Sequence, residues 1–73
     1  MEWINTKGKH PKGNKVTFIA WRNDDSAILT TSTSMYDSIY KDWVFASGQP
    51  YSKYRMVVEY WGEIDYPAPP EQA

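Results

Sequence analysis

The chain carries one histidine, His10, set between Lys9 and Pro11 in the run GKHPKGNK (residues 8–15). A Ser–His–acid site needs a base held in place by its surroundings. A loop with two glycines and a proline does not supply that rigidity, so His10 is given no catalytic role. The same run invites comparison with a phosphate-binding loop, since Gly8 and Gly13 have the right separation. Asn14 then stands where the phosphate-binding lysine belongs, and Lys15 stands where Ser or Thr belongs. A strand pattern comes next, whereas that chemistry uses a helix N-terminus. What remains is a cationic loop, with Lys9 and Lys12 at its centre, suited to phosphates or to an acidic partner. A solvated loop is the default for such a run.

The acids do not assemble a second site. Asp24 and Asp25 are adjacent in a turn, so their side chains diverge. Asp37, Asp42, Glu59, Glu63 and Asp65 show no calcium-loop spacing. With no cysteine in the chain, disulfides and thiolate metal sites are excluded. Neither a metal site nor a cofactor is expected, and the chain is read as a non-enzyme.

The aromatic residues are the informative feature. Four tryptophans, six tyrosines and two phenylalanines occur in 73 residues. Each ring removes roughly 150–250 Å² from water when buried, which compensates for the small core available to so short a chain. Twelve rings exceed what a small sheet hides, so some are expected at the surface, where Tyr and Trp anchor interfaces. Tyr36, Tyr40, Tyr51 and Tyr54 all fall in the middle of the chain. They are the expected partner-binding residues, with Lys9 and Lys12 steering an acidic patch.

These side chains need a frame, and the pattern is mainly β. VTFIAWR (Val16–Arg22) is rich in β-branched and aromatic residues. Val16, Phe18 and Ala20 share one face, and Thr17, Ile19 and Trp21 the other. Both faces are apolar, so both are expected to be at least partly covered. NDDS (residues 23–26) reads as a turn, and AILTTST (27–33) as the return strand. Over 34–42 a short helix capped by Ser34 competes with a wide loop. DWVFAS (42–47) is a third strand and YRMVVEYWGEI (54–64) a fourth, with Gly62 marking a bulge or a close backbone approach. Trp21, Trp43 and Trp61 are expected to line a common surface. Pro67, Pro69 and Pro70 stop further strand pairing. The tail over residues 65–73 reads as polyproline-like, able to fold back over an aromatic face. The sum is one domain over residues 1–73: a small four-stranded antiparallel meander, curled towards a barrel.

Net charge is −1, but it is unevenly spread. Residues 1–22 hold five Lys/Arg against Glu2, giving +4, and residues 23–73 hold three against eight acids, giving −5. This balance disfavours nucleic acid as a partner. No segment has the roughly 20 apolar residues of a membrane span, and the opening MEWINTKGKH has no apolar leader core. A cytoplasmic setting is the expectation.

Several of these motifs together resemble domain of unknown function family 551, small phage and prophage proteins. They are EWI at the start, a proline and a glycine before VTFIAW, the strand DWVF, and the closing VVEYWGEIDYPAPPE. Trp3, Ile4, Pro11, Val16, Val58, Trp61, Pro67, Pro69 and Pro70 carry the likeness. The resemblance implies a phage accessory protein and brings no activity with it. In that context the expected role is binding and inhibition of a host protein by occlusion, in anti-defence or host take-over. The alternative is a homo-oligomer that sequesters a small anionic ligand such as a nucleotide signal.

Overall fold

The computed structural model describes residues 2–12, 15–64 and 70. Five strands form one antiparallel sheet: β1 (Ile4–Asn5), β2 (Val16–Asn23), β3 (Thr30–Asp37), β4 (Asp42–Val44) and β5 (Met56–Glu63). A single 3-10 turn, η1 (Tyr51–Tyr54), precedes β5. The spatial order is β1-β5-β2-β3-β4. The mainly β, antiparallel expectation holds, while several details differ. The four expected strands are all present with shifted ends, and Ile4 opposite Trp61 adds a fifth. The order is not a simple meander, because β5 returns to the free side of β2. The sheet is open, since β1 and β4 end it without pairing to each other.

The helix over 34–42 is not formed. Ser34 and Tyr36 point into the core with alternating spacing, and the strand runs on to Asp37. The Asp37 carboxylate accepts the N–H groups of Ile39 (2.9 Å) and Tyr40 (3.1 Å). It therefore closes a turn that Lys41, at φ 56°, completes. Ser34 spends its hydroxyl on the Val44 carbonyl at 2.9 Å instead of capping a helix.

The core lies on one face. Ile19, Tyr36, Trp43, Tyr51, Val58 and Trp61 are buried together, with Ile4, Trp21, Phe45 and Met56 packed around them. Trp21, Trp43 and Trp61 do share this face, as core rather than as an open platform. The opposite face is only partly covered: Val16 is exposed and Phe18 half-buried.

Trp61 and Val58 sit on the same face although three residues apart. The pairing shifts from Ala20↔Tyr60 to Trp21↔Val58, so Glu59 is extra on β5. A bulge of this kind reverses the inside–outside phase of a strand. It falls at Glu59, not at Gly62, which pairs with Phe18 in regular register. The tail at 65–73 and its proposed fold-back lie outside the described residues, except for the exposed Pro70.

Candidate binding surface

Two aromatic assemblies result from this frame. In the first, the lysine loop crosses the inner face. The Trp61 indole N–H donates to the Lys9 carbonyl at 2.9 Å. The His10 ring stacks on Tyr36 with centroids 4.6 Å apart and planes at 14°. Tyr36 in turn meets Trp43 edge-on at 5.2 Å, and Pro11, next in the loop, is buried. His10, expected in a mobile loop, is instead held by the core. The Lys9 and Lys12 side chains stay exposed, so the loop presents charge outward and covers aromatic surface inward.

The second assembly is the corner where β4, η1 and β5 meet. Phe45 is stacked by Tyr51 at 4.2 Å and met edge-on by Tyr54 at 5.5 Å. Tyr51 is buried, while Tyr54 is 50% exposed. A groove of about 540 Å³ opens here, lined by Phe45, Ala46, Ser47, Gln49, Tyr54 and Met56.

The corner's backbone is tied on every side. Phe45 N–H donates to the Gln49 carbonyl at 2.9 Å and Gly48 N–H to the Phe45 carbonyl at 2.8 Å. Gly48 adopts φ +88° to close that turn, a conformation suited to glycine. The Ser52 hydroxyl donates to Asp42 Oδ2 at 2.6 Å. Arg55, at φ 59°, donates from Nε to Asp24 Oδ2 at 2.9 Å and accepts the Asp24 N–H through its carbonyl at 2.9 Å. Lys53 places its Nζ 5.9 Å from the Tyr54 ring centroid, leaving a cation at the rim.

The predicted site residues are therefore divided. Tyr36 and Tyr51 are core residues, and each builds one assembly from beneath. Tyr54 stands at the groove. Tyr40, 80% exposed, projects from the β3–β4 turn beside the equally exposed Ile39. The sequence reading overlooked Phe45 and Met56. Nothing local marks them as groove walls, because the groove exists only where three separate segments converge.

Among the described residues, no cluster of three or more His, Asp or Glu is placed to hold a metal. No buried side-chain polar atom lacks a hydrogen-bond partner there either. One resolved pKa change belongs to Glu63, lowered by the hydrogen bond and charge of Lys15 at 2.8 Å on the exposed surface. The groove can accept an apolar side chain and set a cation beside it. Compared with family models, curated proteins and solved structures, the chain matches none of them.

Proposed function

We propose that this chain is a non-enzymatic binding protein that docks on another protein and occludes it, in the manner of a phage accessory protein acting on a host target. The observation that carries this reading is the Phe45–Tyr54–Met56 groove, held on a tied backbone and rimmed by Lys53. A rigid aromatic corner offers contact area at low entropic cost, the property of interface hot spots. Tyr40 and Ile39 extend the exposed apolar surface on the neighbouring turn. The partner chemistry that fits is an apolar side chain with acidic neighbours. Sequestration of a nucleotide has weaker support. Tyr36 and Trp61 are buried, so the lysine loop has no free face of theirs on which a base could stack.

The test is affinity capture from nuclease-treated host lysate, with wild type and Tyr54→Ala compared side by side. A single protein held by wild type and lost with the folded variant is the expected result. Equal capture by both would sink the groove as the docking site. Release of a nucleotide by heat, with no protein held, would favour sequestration instead.

A further inference from the structure

β3 is paired on both sides only near its end. β2 covers it from Thr30 to Met35, whereas β4 reaches only Met35–Asp37 on the other side. Among the described residues, the Val44 carbonyl reaches the Ser34 hydroxyl from that second side, and no backbone group pairs with residues 30–33 there. The Ser34 carbonyl faces β2, where Thr17 Oγ1 approaches it at 3.5 Å. N–H and C=O directions alternate along a strand, so those of Thr31 and Thr33 point away from β2 into the open. This edge carries none of the usual protection: TTSTS has no charge, no proline and no bulge.

We propose that β3 pairs with β3 of a second copy of this chain, antiparallel, about a two-fold axis beside Thr31. Three features select a second copy over another occupant. A row of hydroxyl residues is complementary to itself, since Thr and Ser form favourable cross-strand pairs. The segment is uncharged, so two copies meet without repulsion. Past the free edge, β4 stops short and leaves a notch of about 260 Å³, whose lining includes Ser32, Thr33, Val44, Phe45, Ala46 and Tyr51. With Thr31 opposite Thr31, the register sets Leu29 of the second copy opposite Thr33 and Ile28 opposite Ser34, at the mouth of that notch. Ile28 and Leu29 are 77% and 45% exposed in the single chain, and this pairing covers both. The interface is isologous, as a two-fold dimer requires. It uses the far side of β3 from the β2–β5 pairing; its notch shares Phe45 and Ala46 with the groove at Tyr54 but not Gln49, Tyr54 or Met56.

Analytical ultracentrifugation of wild type, Thr31→Lys and Thr33→Pro tests the proposal. Wild type is expected to move from 8.5 kDa towards twice that mass as concentration rises. Thr31→Lys sets two like charges on the axis, and Thr33→Pro removes an N–H that points away from β2 and meets no acceptor among the described residues. Each is expected to weaken association at least tenfold. In wild type, the amide protons of Leu29, Thr31 and Thr33 are expected to exchange more slowly at high than at low concentration. This readout is independent of how well the variants fold. A wild type that stays monomeric up to about 1 mM, the weak end of measurable association, overturns the proposal. So does a dimer that both folded variants leave intact, or exchange at these amides that ignores concentration.

Discussion

Thr6 is bonded to Val58 across 52 residues of chain, its hydroxyl donating to the Val58 carbonyl at 2.8 Å and approaching the Glu59 carbonyl at 3.1 Å. The Thr6 N–H also donates to Glu59 at 3.1 Å. These are the carbonyls at the β5 bulge, where pairing with β2 slips by one residue. Thr6 thus adds hydrogen bonds to the two carbonyls at the bulge. The bulge itself places Val58 and Trp61 on one core face.

Thr6→Val keeps the shape of the side chain and removes the donor. The expected cost is about 1–2 kcal/mol, the range for leaving a buried polar group unsatisfied. For a domain of this size that lowers Tm by about 4–8 °C per kcal/mol. Unchanged thermal stability would show that the hydroxyl does not hold the bulge.

Trp61→Phe leaves the Lys9 carbonyl without its 2.9 Å donor while keeping an aromatic ring in the core. The lysine loop should loosen, with the His10–Tyr36 stack weakening with it. NMR checks this through the His10 ring protons, whose ring-current shift from Tyr36 should diminish. A His10 spectrum identical to that of wild type would separate the stack from the indole bond.

Tyr51 and Tyr54 both pack on Phe45, yet they should behave oppositely. Tyr51 is 4% exposed, and Tyr51→Ala is expected to cost about 3–5 kcal/mol, as for other large aromatic truncations in a core. Tyr54 is half exposed, so Tyr54→Ala should cost about 1 kcal/mol or less while abolishing partner capture. Denaturant melts of the two variants, set beside the capture assay, distinguish scaffold from contact. Similar stability losses for both would remove the distinction.

The Lys15–Glu63 pair makes a pH prediction. Lys15 holds the Glu63 carboxyl below its ordinary value of 4.5. A folded-state pKa that is depressed adds stability above the unfolded pKa, and this stability is lost as pH falls through the folded value. Glu63→Gln should therefore melt slightly below wild type at pH 7, and the gap should close below pH 4.5. The pair is exposed on both sides, so added salt should shrink the gap as well. A gap that persists at low pH would assign it to something other than charge.

Much of the fold was legible in local pattern. The β-branched run Val16–Arg22, the turn residues Asn23–Ser26 and the apolar run 54–64 need no tertiary information to be read as strands and turn, although strict alternation along the last of these would have set Trp61 on the face opposite Val58. The abundance of aromatic rings in a chain without cysteine likewise determined that the core would be aromatic, with several rings left at the surface. The tertiary structure decided the rest, for reasons that operate at long range. Ser34–Asp37 is strand because β2 and β4 flank it and Asp37 closes the turn after it, although the local signal allowed a helix. The phase of Trp61 depends on a bulge stabilised by Thr6, far away in sequence. Which tyrosines are buried was likewise undecided by type or spacing, since burial belongs to the packed assembly and not to the residue. Tyr51 lies under Phe45 and Tyr54 at its edge because three segments converge there, and only that convergence makes a surface.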